Sequence, residues 1–463
     1  MGYQPPFYVY TDNLTILGNG TRQNPLYARF PDLYVTQDTV IAEPTDYNFI
    51  YITNNATLTL GSGSSTPAVT KVVTMQIDSG SSLILNSVQL NLFSPQPVLI
   101  NGNIVSTNTN DLIIINSASF ILNGNILLTG NIQINSQVTL NGNGQIVPII
   151  YSITITNSQS SATPAPFQQM VQIPSTYIPY IRLTDSSGNL LYAWLESISN
   201  GTATIWVKLP NEIGANSSIT IYVIGYDSGF DGNYWGEAPQ LSSTYGQYDN
   251  GANVFTNYWN FAGTSTPSGI TIYSNSGTGS ITFNNGMTLK GGTSASPGQT
   301  TAYTTSSFSA PIIVDYYGTQ STSPSGEAYG WSMDGFSNAN SNSGTYPTSG
   351  TSYTLLDFEN GVNAGVHTTQ GGAITNGGLS APSGNLFSAS VWTHIYTSSA
   401  YYTYQNYVNN TGYITGASNT ASIPFELGVG NNEATYVPNG MTVNWLRTRA
   451  YPPNGVQPSV SFV

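Results

Sequence analysis

Cysteine is absent from the 463 residues, which removes disulfide frameworks, thiol nucleophiles and Cys-ligated metal sites. Charge is scarce: 6% of residues are Asp, Glu, Lys or Arg, against about 25% in an ordinary soluble domain. The 8 Lys and Arg set against 21 Asp and Glu leave a formal charge of -13. Too few cations exist to displace the counterions of a nucleic acid, so none is expected as a partner. No apolar run reaches about 18 residues, which excludes a membrane-spanning helix. No heptad or sustained helical period occurs either, and the fold class predicted is all-β.

What is there instead is amide, hydroxyl and aromatic surface, with 12% aromatic residues and 32 Tyr. Such a surface hardly changes with pH, whereas paired carboxylates lose their stabilisation as pH falls through their folded pKa. With every carboxylate protonated, the 8 Lys and Arg and 2 His leave only about +10, a modest self-repulsion. A body built for acid is expected. Ionisable groups this thinly spread are also expected to form no buried cluster.

Along the chain, Asn13–Ala28 reads as strand, turn, strand, because Gly18-Asn19-Gly20 admits left-handed angles and Pro25 fixes an extended entry. From about residue 56 to 149 short apolar runs alternate with corners. Asn-Gly-Asn stands at Asn101–Asn103, Asn123–Asn125 and Asn141–Asn143, spaced by about 18 to 22 residues. That spacing suits the rungs of a β-solenoid; the competing reading makes each Asn-Gly a hairpin turn in a meander. Beyond residue 236 many short alternating strands with Gly/Ser/Asn loops argue for a two-sheet sandwich.

The stretch between them organises the chain. In Ala203–Pro210 the alternation sends Thr204, Trp206 and Lys208 to one face and Ile205, Val207 and Leu209 to the other, and Pro210 ends the strand. Upstream, Ile181–Glu196 gives strand, polar turn, strand; downstream, Ser218–Ile224 alternates again. The ordered set Ile181-Arg182-Leu183-Thr184-Asp185 … Gly188 … Leu191-Tyr192, Ala203–Pro210 and Ile221–Tyr226 resembles an uncharacterised domain family of archaeal and bacterial surface proteins. Tyr222-Val223-Ile224-Gly225 departs slightly from the family's closing strand. The resemblance covers roughly 75 residues and implies a small antiparallel β-sandwich followed by a concanavalin- or laminin-G-type jelly roll, with no assigned catalytic residues. Tyr245–Phe261 and Val443–Tyr451 resemble the junction into that jelly roll and its closing strand.

Leu17–Leu26 is similar to the "GDGT..NPL" segment of phage tail-fibre and baseplate proteins, with Asn19 in place of Asp. Met1–Phe7 has neither a basic nor an apolar leader, a pattern that a virion protein or a chain trimmed at its start accommodates. The expected organisation is residues 1–55 for attachment and oligomerisation, 56–149 a solenoid-like stalk, 150–235 the small sandwich and 236–463 the jelly-roll head. The resemblances imply a virion surface component (tail fibre, spike or turret) of an archaeal virus from a hot acid habitat. Its expected partners are other virion proteins, a host-surface glycan or glycoprotein, and further copies of itself, a trimer favoured. The alternatives are a cellular secreted or surface-layer-associated adhesin and a glycan-active enzyme.

Candidate glycan contacts are Trp331, Asp334, Tyr401, Tyr402, Tyr404 and Tyr407, since Tyr gives large contact area at little entropic cost. Tyr402 and Tyr404 share one strand face, with Tyr401 and Tyr407 assigned to the other. Asp357 and Glu359 stand on one strand face about 7 Å apart; a retaining glycosidase needs about 5 Å. Leu355 replaces the first acid of the E-x-D-x-x-E strand of some jelly-roll glycosidases, so no catalytic residue is assigned. His367 and His394 lack acidic or second-His partners at metal spacing, so no metal is expected. Asp227–Asn233 is loosely like a calcium loop without a closing bidentate Glu; a turn is the simpler reading. Sequons stand at Asn13, Asn19, Asn55, Asn200, Asn216 and Asn409.

Overall fold

The computed structural model describes residues 9–11, 14–17, 27–136, 138–140, 144–274, 279–292, 298–319, 330–337, 353–359, 363–370, 373–376, 388–415, 422–431 and 440–462. The chain is all-β, 56% strand and 3% helix. Strands Val9–Thr11, Leu14–Leu17 and Tyr27–Arg29 form an antiparallel sheet, so both strands expected at Asn13–Ala28 are present, and the turn between them lies outside the described residues.

Between Asp32 and Pro148 every described ladder is parallel, which selects the solenoid over the meander. Leu99 pairs with Ile121 and Ile121 with Thr139, one coil of 22 and then 18 residues. Like stacks on like inside: Ile52, Ile77, Ile100 and Leu122 follow one another in register, each fully buried. Each such side chain contributes roughly 1.5–3 kcal/mol. Coil corners are held by amide ladders, Asn123 Nδ2 donating to Asn101 Oδ1 at 2.6 Å and Asn135 Nδ2 to Asn116 Oδ1 at 2.7 Å. Glycine is obligatory there because coils close on each other: a β-carbon on Gly124 would stand 1.8 Å from the Gly102 carbonyl oxygen. The coils start at Asp32, earlier than the residue 56 boundary. Asp32–Val35 and Thr39–Ile41 pair in parallel with Phe49–Ile52 and Leu58–Leu60, without the Asn-Gly corners that mark later coils.

Strand Gln145–Asn157 does not stop at the stalk. Its first residues pair in parallel with Asn125–Leu128; from Ile149 onward it pairs antiparallel with Ser217–Gly225. The stalk's sheet therefore runs unbroken into the small sandwich. The second sheet of that sandwich is Phe167–Pro174, Thr202–Leu209, Ala193–Ser199 and Trp235–Glu237. Ile205, Val207 and Leu209 enter the shared core with Ile221 and Val223, while Trp206 faces outward to the head, as the alternation predicts. The last strand, Ser459–Phe462, lies in this sandwich and not in the head: it pairs with Ile153–Thr156. It covers a sheet edge that the solenoid leaves behind, which is why the chain returns there.

The remainder is a jelly-roll-type head of an eight-stranded and a seven-stranded antiparallel sheet. Tyr316, Trp392, Phe336, Phe425 and Leu427 meet between the sheets. His394 and Asp334 come from opposite sheets and meet there, His394 Nε2 at 2.9 Å from Asp334 Oδ2 with neither exposed. Tyr316 Oη donates to the same oxygen at 2.5 Å, and Tyr401 Oη lies 2.7 Å from His394 Nδ1. The expectation that His394 lacks an acidic partner is thus corrected. Asp334 stands 60 positions earlier on the facing sheet, a distance no motif spacing measures.

Candidate functional site

The functional surfaces are set by what grips the small sandwich on its two outer faces. On one side Tyr222 and Ile224 project onto the stalk and pack with Val105, Leu127 and Val147. The Asp185–Asn189 turn docks beside them. Asp185 Oδ1 accepts the amides of Ser187 and Asn189, both at 2.9 Å, and so shapes the loop. The loop's Ser187 carbonyl then accepts Ser82 Oγ at 2.7 Å and Asn103 Nδ2 at 3.2 Å from the stalk.

On the other side Trp194 and Trp206, neighbours across the sheet, meet Phe255 and Trp445. Arg447 of strand Met441–Arg449 enters this box, its guanidinium 4.4 Å from the Phe255 ring centre, 4.5 Å from Trp206 and 4.6 Å from Trp445. Its Nη2 donates to Glu196 Oε2 at 2.8 Å and its Nε to Asp315 Oδ2 at 3.0 Å. Arg449 Nε adds a 2.7 Å bond to Asp315, and Thr393 Oγ1 another at 2.7 Å. Trp206 Nε1 and Tyr407 Oη both donate to Glu196.

Two carboxylates and two guanidiniums are therefore buried together, and the expectation that ionisable groups form no buried cluster is overturned. Burial opposes charge on Asp315, but Arg449 and Arg447 outweigh it and hold its carboxyl below the usual range. Burial opposes charge on Arg447 as well; Tyr407, Glu196 and Asp315 outweigh it and raise its pKa. Burial lifts the Tyr407 phenol well above the tyrosine range, which keeps it a neutral donor. Desolvation of this kind is tolerable because each charge is matched and the cation lies over aromatic faces.

Beside the clamp a groove of about 580 Å³ opens between sandwich and head, within the roughly 300–1,000 Å³ range of small-molecule sites. Gln169, Met170 and Gln172 form one wall, Ile313, Ile395, Tyr404 and Tyr407 the other, Arg449 the floor and Tyr451–Phe462 the rim. No Asp or Glu lines it among the described residues.

Of the six glycan candidates, Tyr404 and Tyr407 line this groove, and Tyr402 is partly buried on the same sheet. Asp334 and Tyr401 are corrected: both are enclosed in the head core, 0% and 2% exposed, bonded through His394 and Tyr316. Tyr407 has left its strand in a turn at φ 66, so it does not share the Tyr401 face. Trp331 lies on strand Gly330–Ser337 of the seven-stranded sheet; its side chain is outside the described residues. Register places Asp357 opposite Met333 and Glu359 opposite Trp331, with those side chains, and that of His367, likewise outside them. In the calcium-like loop, Asp231 Oδ1 accepts the Asn233 and Trp235 amides and Oδ2 meets Arg182 at 3.1 Å, which makes it a turn-former. No group of three or more His, Cys, Asp or Glu occurs at metal distance among the described residues. The sequon residues Asn55, Asn200 and Asn216 are exposed in turns at positive φ; Asn13, Asn19 and the Asn409 side chain lie outside the described residues.

Arg447, Arg449, Asp315, Glu196 and Gln169 escaped the sequence reading. One signal was available: two of 8 cations stand two apart on one face of an aromatic strand.

A model of a domain of unknown function (DUF2341) matches residues 179–232, which hold the docking turn and the Trp206 strand. A protein named "Uncharacterized protein 562" of Sulfolobus islandicus rod-shaped virus 1 is 44% identical over 127 residues, 25% of this chain. The chain spans 22% of that relative's length. Among solved structures, the metal-free Emp46p carbohydrate recognition domain is 8% identical and covers 39% of this chain and 88% of its own, at TM-score 0.31. A Bacillus licheniformis β-glucanase is 11% identical over 42% of this chain and 97% of its own, at 0.28. LamAcat from Zobellia galactanivorans is 12% identical over 43% and 99%, at 0.31. Likeness at these scores carries no argument about function.

Proposed function

We propose that this chain is a virion surface component of an archaeal virus, in the manner of a fibre, spike or turret part. In this reading its head attaches the particle to a host-surface glycan or glycoprotein. The observation that carries the reading is the continuous strand Gln145–Asn157: it joins stalk to sandwich in one sheet, while the buried arginine clamp holds the sandwich to the head, a body suited to hold a head away from its base. The relative from a rod-shaped virus supports the virion setting. Residues 1–29 then fasten to other virion proteins, and the fibre resemblance favours three copies. The chain binds without cutting in this reading: among the described residues the His394–Asp334 pair is sealed inside the head and the groove has no lining carboxylate.

Antibody against the head should decorate purified virions in electron microscopy, and the purified chain should adsorb to host cells and lose adsorption after periodate treatment of the cells. Label confined to infected-cell interiors, or adsorption indifferent to periodate and protease alike, would sink this reading. Intact-mass measurement of virion-derived chain tests whether Asn55, Asn200 and Asn216 carry glycan.

A further inference from the structure

We propose that the groove between sandwich and head is a saccharide site for an uncharged oligosaccharide, contacted from both domains at once. The proposal rests on the attachment reading for its biological setting, and on the groove alone for its chemistry. Tyr404 is partly exposed on the outward face of its strand, opposite Thr393, and with Tyr451 and Tyr407 gives the groove phenolic walls. Such rings match the C–H faces of a hexose; the Tyr407 hydroxyl is held in the clamp by Glu196 and Arg447, so Tyr407 offers its ring alone.

The facing wall supplies amides. Gln172 is exposed. Gln169 is 3% exposed and its Nε2 donates to the Met170 and Pro458 carbonyls, yet its Oε1 has no hydrogen-bond partner among the described residues. That oxygen is itself shielded from solvent, so the amide this wall offers a ligand is that of Gln172.

Charge decides the ligand class. Among the described residues Arg449 is the one lining residue with a full charge, and both its Nε and Nη2 are turned to Asp315. A sulfated or uronate chain would find no unmatched cation among them and a protein of net charge -13. A neutral glycan meets no such penalty, and no Asp or Glu stands in the described lining to receive it.

The test uses the full chain and calorimetric titration with neutral gluco- and manno-oligosaccharides and with sulfated heparin oligosaccharides, at pH 3 and pH 7 and at low and high salt. At least one neutral oligosaccharide should bind, with affinity unchanged between the two pH values and insensitive to salt. Tyr404→Ala should weaken it about tenfold, equivalent to about 1.4 kcal/mol, with melting temperature kept; Tyr404→Phe should retain most of the affinity. Absence of binding by every neutral oligosaccharide, preference for the sulfated chains with steep salt dependence, or indifference to Tyr404→Ala would each overturn the proposal. Cell adsorption that survives Tyr404→Ala while sugar binding is lost leaves attachment standing without the groove. Sugar binding without cell adsorption leaves the groove standing without attachment.

Discussion

Against the stalk, the small sandwich presents Tyr222 and Ile224 and continues the stalk's own hydrogen-bond ladder. Against the head, it presents Trp194, Trp206 and Glu196 to an arginine. The first junction is backbone plus aliphatic contact, which many side chains could supply as long as the register holds. The second depends on four charges and a ring box meeting in one geometry, and every member leaves a costly orphan if removed. One grip carries length and the other carries orientation.

The sharpest way to break this contrast is Arg447→Ala. It leaves Asp315 and Glu196 buried with one cation fewer and should cost about 3–5 kcal/mol, read by denaturant unfolding. A loss below that of any stalk-junction variant would refute the asymmetry. Gly188→Ala tests the stalk side. At φ 85, with a new β-carbon 3.1 Å from the Asn103 β-carbon, it should cost about 1–3 kcal/mol, and proteolysis between stalk and sandwich should quicken. Asn103→Ala removes the side-chain bonds to Ser187 and to the Asn125 amide and should cost about 1 kcal/mol by the same measurement.

Acid gives the smallest effect. The lowered carboxyl of Asp315 contributes stability above its unfolded pKa, near 3.9, and loses it as pH falls through the lower folded value. Burial raises Asp249 and Glu237, so their contribution runs the other way: stability grows as pH falls through their folded values toward the unfolded ones. The opposed signs predict melting temperatures at pH 7 and pH 3 that differ little, checked by scanning calorimetry. Collapse by pH 3 would remove the case for an acid-built body.

Local alternation made much of this legible. The two faces of Ala203–Leu209 could be assigned because Ile205 and Val207 contrast with Thr204 and Lys208. The solenoid announced itself through Asn-Gly-Asn, since only a residue without a β-carbon fits the corner at Gly124. Where that contrast disappears, so does the signal. Tyr401, Tyr402 and Tyr404 occupy both faces of one strand, and sequence could not say that Tyr401 is the buried one. The clamp was illegible for another reason: Arg447 is 132 residues from Asp315 and 251 from Glu196, so the pairings exist only once Met441–Arg449 lies beside Ile312–Thr319 in the head sheet and that sheet is stacked on the sandwich.

Because Ser459–Phe462 returns to Ile153–Thr156, the head is moored at both its beginning and its end. A pull on the head would divide between two covalent lines. Neither can lengthen until a strand slides past its neighbour or the arginine box opens. The same topology would let a different head be spliced between those two lines with the stalk's coils untouched, provided it brought its own arginine to Glu196 and the tryptophans.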